Sequence, residues 1–269
     1  MSYPVLLGAV VIDTSNRRIV ITEGGVDRNA DIAVGTYYLR GDATSDDLCK
    51  AIKTAFEAAG ASANTYTVAV SFDTAGANVS ATVTISRASG GDAIAIKWAD
   101  ASTTFDEALL GIANTNVTGA TTYSSTLSPS CVWVSSEVYR ELEPESEFIA
   151  FSQRARSGRI WGGRRGGAYD VRRLGMDFLH AKRAHSSNNS SDTRSGFDKF
   201  VERQLAGLQF ELHIGTISGG STLAALSSST EHGSGWHFDA ESMESLAPRR
   251  LQPGVPLYSI DCRLLGYVA

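Results

Sequence analysis

The histidines of this chain have the chemistry for catalysis or metal binding but not the spacing. His180 and His185 are five residues apart, as are His232 and His237. Residues at i and i+5 share neither a helix face nor a strand face, so neither pair predicts a metal site. The chain contains no Gly-x-Ser-x-Gly nucleophile elbow, and no Asp/Glu pair stands out as an acid/base couple. We therefore expect no catalytic residue, no metal and no cofactor.

Cysteine and glycine lead to the same expectation. The three cysteines lie far apart, at positions 49, 131 and 262, which favours buried thiols over a disulfide framework or a zinc site. The glycine-rich run 162–167 (GGRRGG) lacks the Lys-Ser/Thr ending of a phosphate-binding loop, and no helical pattern follows it.

Two charged patches of opposite sign follow one another in the second half. The acidic patch consists of Glu137, Glu141, Glu143, Glu145 and Glu147, and the arginine patch of Arg154, Arg156, Arg159, Arg164, Arg165, Arg172 and Arg173. Ion pairing between them, within the chain or between subunits, is the favoured interpretation. A nucleic-acid-binding loop and a solvated face remain alternatives, since arginine, glycine and aromatic residues together also suit a phosphate backbone. The candidate subunit-interface residues are Glu141, Glu143, Glu145, Arg154, Arg156, Arg159, Arg164 and Arg165.

Composition is that of a folded protein. Of 269 residues 42% are hydrophobic and 20% charged, and the net charge is −5, which allows a substantial core. Residues 1–127 hold 8 Lys and Arg against 13 Asp and Glu, whereas residues 128–269 hold 16 of each. The first residues lack the basic region of a secretory signal, and no apolar run is long enough to span a bilayer. We expect a soluble protein made in a cytoplasm, with no membrane partner.

A stretch rich in Thr, Ser, Gly and Asn, residues 115–130, predicts a link between two domains, 1–127 and 128–269. In the first, residues 5–12 and 18–22 predict a hairpin, and 35–40 a third strand. A helix is predicted over 45–59, capped by Thr44 or Ser45 and ended by Gly60.

Further alternating runs complete the first domain. Strands are predicted over 65–72, 81–86 and 93–98, the last two as a hairpin, before a short helix over 104–110.

The second domain is predicted from period-2 alternation and one helical segment. Strands are expected at 131–138, Tyr169–Arg183 and Leu257–Val268, and a helix at Ser195–Ala206. The fold class expected for the whole chain is α+β and mainly β, with antiparallel sheets or a β-sandwich and one or two flanking helices in each half.

These patterns resemble those of tailed-bacteriophage virion proteins of the tail-tube and distal-tail class. The residues that carry the resemblance are the strand Val171–Phe178, the helix-to-strand unit Phe197–His213, the ending Pro248–Leu264, the Tyr37-Tyr38-Leu39 strand before an alanine-containing helix, and Leu109-Leu110-Gly111 after a strand that ends at Trp98. The acidic N-terminal module departs from that class in size.

The resemblance implies a structural protein of the virion, made in the host cytoplasm, in the tail tube, tail tip or an adaptor. It implies a homo-oligomeric ring, expected to be sixfold, that contacts other virion proteins and at most passively the phage DNA in a channel. It supplies no catalytic residue. Two alternatives remain: a receptor- or carbohydrate-binding β module, in which Trp161, Trp236 and Tyr123 would be exposed, and an enzyme.

Overall fold

A computed structural model describes the fold. It describes residues 3–60, 65–72, 81–87, 94–134, 139–147, 150–154, 160–164, 169–178, 200, 203–204, 208–215, 236–238, 249–250 and 258–267. For residues 139–178 and 249–267 the description is of backbone and strand register.

The described residues of the first half form ten strands and two helical segments. In chain order they are β1 (Tyr3–Gly8), β2 (Val10–Ile12), β3 (Arg18–Glu23), β4 (Val26–Asp31), β5 (Gly35–Tyr37), α1 (Leu48–Ala59), β6 (Tyr66–Phe72), β7 (Ala81–Arg87), β8 (Ile94–Ile96), a 3₁₀ helix (Glu107–Leu110), β9 (Val117–Ala120) and β10 (Thr122–Ser124). They form a four-stranded sheet in the order β4-β3-β8-β9, a three-stranded sheet β10-β7-β6 and the pair β2-β5.

Turn chemistry explains the tightest pairing of this half. Strands β3 and β4 are antiparallel, with Glu23 opposite Val26, so only Gly24 and Gly25 form the turn. Both glycines have positive φ, at 55° and 78°, as a two-residue hairpin turn of this kind requires.

Helix α1 closes the open side of the first half. Its apolar positions Leu48, Ile52 and Phe56 follow the helical period and are fully buried. The helix packs against both β4 and β6, the terminal strands of the two sheets, while β9 runs into β10 across a single residue. Phe56 meets Tyr66 of β6 edge to face, with ring centroids 5.4 Å apart. The helix therefore packs against the outermost strand of each of the two sheets.

Nine strands are described in the second half. They are β11 (Val132–Val134), β12 (Tyr139–Glu147), β13 (Ala150–Arg154), β14 (Ile160–Arg164), β15 (Tyr169–Phe178), β16 (Phe210–Gly215), β17 (Trp236–Phe238), β18 (Arg249–Arg250) and β19 (Tyr258–Tyr267). An eight-stranded sheet has the order β11-β1-β16-β17-β19-β15-β12, with β18 also paired to β19. The pair β13-β14 is separate.

The eight-stranded sheet draws strands from both halves. Strand β1 lies between β11 and β16, with Leu6 opposite both Trp133 and Leu212. The amide of Ala9 donates to the carbonyl of Gln209, and the amide of Gly8 to that of Cys131, each at 2.8 Å. The described fold is mostly antiparallel β structure with one long helix, which confirms the predicted fold class.

Two predicted hairpins are wrong. Residues 5–12 do not pair with 18–22: β2 pairs with β5 and β1 with the second-half strands, because the chain changes sheets at Gly8 and Ala9. Residues 81–86 do not pair with 93–98 either, since β7 pairs with β6 and β10, and β8 with β3 and β9. Alternation places strands but does not choose their partners.

The helix start and the link also differ from the predictions. Helix α1 begins at Leu48, and its N-cap is Asp47 rather than Thr44 or Ser45, with the carboxylate accepting from the amide of Cys49 at 3.1 Å. The same carboxylate accepts from the amides of Gly41 and Ala43 at 3.0 Å, which folds residues 41–47 into a turn. Residues 115–130 contain β9 and β10, so they belong to the first-half sheets rather than to a free link.

The predicted strands of the second half are confirmed over Tyr169–Phe178 and Tyr258–Tyr267. Of the predicted helix at 195–206, residues 200, 203 and 204 are helical, and the remainder lies outside the described residues. Cys49 and Cys131 are buried free thiols, and burial raises the pKa of Cys131 to about 12.

Candidate assembly surface

The acidic patch forms one edge of the eight-stranded sheet. Strand β12 ends the strand order and pairs on its inner side with β15. Positions 141, 143, 145 and 147 are two apart, so they lie on one face of the strand. Pro144 and these glutamates are residues that natural edge strands use to prevent uncontrolled pairing.

Register assigns only one arginine to this acidic row. Glu143 lies opposite Arg173, and Arg173 lies opposite Arg263 on β19. Glu141 faces Gly175 and Glu145 faces Val171. Part of the predicted pairing between the two patches therefore falls within the chain, where opposite charges at facing positions stabilise a sheet, and two predicted interface glutamates have no arginine directly opposite.

The arginine patch continues onto a second, smaller strand pair. Strands β13 and β14 pair within the connection between β12 and β15, with Ala150 opposite Arg164 and Arg154 opposite Ile160. In the described part of the chain this pair has no third strand. We call β13 and β14 the arm. Its two arginines, Arg154 and Arg164, have no acidic residue at the facing position.

Three of the predicted interface residues, Arg156, Arg159 and Arg165, lie outside the described residues. The other five are placed on β12 and the arm, as stated above. Along the chain, the paired strands β13 and β14 lie between the paired strands β12 and β15, so both segments belong to one nested antiparallel unit at the edge of the sheet.

A buried ion pair, not predicted from the sequence, joins the two halves. Arg40, which follows β5, donates through Nε to Glu211 Oε2 of β16 at 2.8 Å, and its Nη2 donates to Oε1. The Arg40 side chain is 14% exposed and that of Glu211 4%. Arg40 also donates to Asp46 Oδ1 at 2.7 Å, and its guanidinium lies 5.0 Å from the Tyr38 ring centroid.

The electrostatics of this pair follow from burial and hydrogen bonding. Burial raises the pKa of Glu211. Hydrogen bonds from Arg40 and from His213, whose Nε2 is 3.1 Å from Oε2, lower this pKa by more than burial raises it, so the net shift is downward. The hydrogen bond to Glu211 raises the pKa of Arg40. Because the two residues are 171 positions apart, no local pattern could have revealed the pair.

Aromatic side chains that the binding-module alternative requires on the surface lie elsewhere. Trp236 is 6% exposed. The hydroxyl of Tyr123 donates to the carbonyl of Ile94 at 2.6 Å and accepts from the amide of Ala120. Trp236 is thus buried and Tyr123 is half-buried with its hydroxyl engaged, while the side chain of Trp161 lies outside the described residues.

The described residues provide neither a cluster of metal ligands nor a membrane-spanning helix. They contain no group of three or more His, Cys, Asp or Glu arranged to hold a metal ion. Within the same residues, no helix has the length and apolar character needed to cross a membrane.

Comparison with known proteins gives no family for this chain. No protein-family model matches the sequence, and no curated protein matches it.

Proposed function

We propose that this chain is a structural subunit of a tailed-phage virion, in the tail tube, tail tip or an adaptor, and that it forms homo-oligomeric rings. The observation that carries the proposal is the nested unit at the sheet edge, where a nine-residue acidic edge strand and an arginine-bearing arm occur together. Pro144 and the glutamates of β12 oppose backbone pairing with another chain, so the contact that we propose is made by side-chain charge rather than by extension of the sheet.

The charges indicate how neighbouring subunits would meet. In the register of the described strands, Glu141 and Glu145 on the edge strand, and Arg154 and Arg164 on the arm, have no opposite charge at their facing positions. In the proposed ring, the edge strand of one subunit lies against the arm of the next. Such a head-to-tail contact uses two different surfaces, so it does not stop at a dimer: it gives a ring where the rotation between neighbours closes and a filament where it does not. Charge complementarity fixes the register of docking more than it adds affinity.

The test is a pair of charge reversals that should be defective alone and competent together. We expect Arg154→Glu with Arg164→Glu to abolish assembly while the subunit stays folded, and Glu141→Arg with Glu145→Arg to do the same. An equimolar mixture of the two variants should assemble, because every contact then regains opposite charges.

The matched control is Lys53→Glu, on the exposed side of α1, which should assemble normally. Native mass spectrometry and negative-stain electron microscopy report the outcome, and circular dichroism reports folding. If each double variant assembles like the parent chain, or if the mixture fails while both variants remain folded, the contact is not the one proposed.

A further inference from the structure

Strand β2 has an edge that no other strand covers in the part of the chain that the structure describes. The strand pairs with β5 alone, in antiparallel register. Val10 and Ile12 are buried, whereas Val11 between them is 47% exposed. The segment 5–12, which contains β2, has no charged residue and is rich in valine, leucine and isoleucine. An uncharged apolar strand with an uncovered edge pairs readily with a strand of another chain.

The carboxamide of Asn16 occupies this edge. Its Nδ2 donates to the carbonyl of Val11 at 3.0 Å, and its Oδ1 accepts from the amide of Asp13 at 2.8 Å. Residues 11 and 13 are two apart in an extended stretch, so this carbonyl and this amide point to the same side. Asn16 therefore engages two of the backbone groups that a neighbouring strand would use. We call this pair of hydrogen bonds the β2 cap.

A turn between β2 and β3 places Asn16 on the edge. Asp13 Oδ1 accepts from both the amide and the hydroxyl of Ser15 at 2.6 Å, and an aspartate bonded in this way folds the chain back on itself. Asn16 follows directly, and β3 begins at Arg18. Both hydrogen bonds of the β2 cap lie at exposed positions, so replacing Asn16 removes the cap without opening the core.

The other end of the same edge is covered by the second half of the chain. The amide of Ala9 donates to the carbonyl of Gln209 at 2.8 Å, and the carbonyl of Ala9 accepts from Nη2 of Arg203 at 3.5 Å. Between this contact and the β2 cap, only residues 11–13 are left for a partner strand. The β2 cap is thus what separates this edge from an open one.

We propose that Asn16 keeps β2 from pairing with the β2 strand of a second copy of this chain. A second copy fits because antiparallel pairing about Ile12 sets residues 11 and 13 of one copy opposite residues 13 and 11 of the other. The groups freed on one edge then match those freed on its partner. Such a contact is isologous and joins two copies. It does not depend on the proposed ring, because none of these residues lies on β12 or the arm.

The test compares Asn16→Ala with the parent full chain by sedimentation velocity at equal concentrations, with circular dichroism as the check on folding. The variant should form dimers if the parent is monomeric, and linked rings if the parent forms rings. In both cases the variant sediments faster than the parent as concentration rises, so the result does not require ring formation. Folded Asn16→Ala chains that sediment like the parent at every concentration would overturn the proposal.

Hydrogen exchange shows whether the β2 cap is formed in solution. In dilute samples, the amide of Asp13 should exchange about threefold to tenfold faster in Asn16→Ala than in the parent, the effect of losing one ordinary hydrogen bond. An unchanged exchange rate would mean that Asn16 does not cap the edge.

Two variants separate strand pairing from a general loss of stability. Asn16→Ala combined with Val11→Lys puts a charge on the uncapped edge, and charged edge strands resist pairing, so this double variant should sediment like the parent. The matched control Asn29→Ala, at an exposed asparagine of β4, should do the same. If Val11→Lys does not reverse the association of Asn16→Ala, the association does not involve β2 and the proposal is wrong.

Discussion

The two halves of the chain differ in what lies against the outer strands of their sheets. In the first half, α1 covers both β4 and β6, and β9 continues directly into β10. In the second half, β12 ends the eight-stranded sheet and the arm has no third strand among the described residues. A strand packed under a helix is shielded from another chain, whereas an open edge is available to one; in the first half the pair β2-β5 also has no third strand among the described residues.

The largest expected effect on stability comes from truncating the side chain through which helix α1 packs on β6. Phe56→Ala should lower the free energy of unfolding by about 3–5 kcal/mol, because Phe56 is fully buried and stacks edge to face on Tyr66. Urea unfolding followed by circular dichroism measures this loss. Val34→Ala, at a position 58% exposed, is the control and should change stability by less than about 0.5 kcal/mol. A small effect of Phe56→Ala would show that α1 does not close this half.

The joint between the halves should be nearly as sensitive. Arg40→Met leaves Glu211 buried without its guanidinium and should cost about 3–5 kcal/mol. The double variant Arg40→Met, Glu211→Met should recover most of that loss, since the buried carboxylate is gone and Asp46, which also loses Arg40, is solvent-accessible. If the double variant is no more stable than Arg40→Met, the pair does not act as a unit.

The same pair gives a pH dependence of defined sign. The pKa of Glu211 is lowered in the folded chain, so its contribution to stability is present above the unfolded pKa and is lost as the pH falls through the folded value. Glu211→Gln should therefore flatten the part of the stability profile between the ordinary carboxyl pKa of 4.5 and more acidic pH. Urea midpoints across this range measure it, and an unchanged acid slope in Glu211→Gln would contradict the assignment.

The smallest effect is expected on the exposed face of α1. Lys53 and Glu57 form an i,i+4 pair at 3.8 Å, and Lys53→Gln should lower stability by only about 0.3–0.5 kcal/mol. A loss above about 1 kcal/mol, measured by urea unfolding in low salt, would show that this ion pair stabilises the chain more than exposed ion pairs usually do.

Sequence patterning predicted where the strands are better than how they pair. The alternation of residues 66–72 and 81–87 and the amphipathic spacing of α1 gave elements close to those observed, because these signals are local. The insertion of β1 beside β16 depends on contacts more than 200 residues apart in the chain, and no local signal encodes them. The Gly24-Gly25 dipeptide is a local hairpin signal, but the predicted strands 18–22 and 35–40 leave out β4, which follows this turn.

For the candidate surfaces too, the sequence indicates which residues are charged but not which residues they face. The acidic and arginine patches were visible in the sequence, but only the register shows that Glu143 faces Arg173 within the chain while Glu145 faces Val171. Arg40 and Glu211 each looked like an ordinary charged residue beside a strand. Their burial is set by the packing of the two halves against each other, which is a property of the tertiary structure alone.

The most direct test of the account is the mass of the full chain in solution across a range of concentrations, with the same sample imaged by negative-stain electron microscopy. The proposed function predicts closed rings or stacked tubes whose mass is a multiple of the 28.6 kDa subunit. A folded chain that remains a 28.6 kDa monomer at every concentration would contradict it, because no second copy of the chain would then bind the edge strand β12.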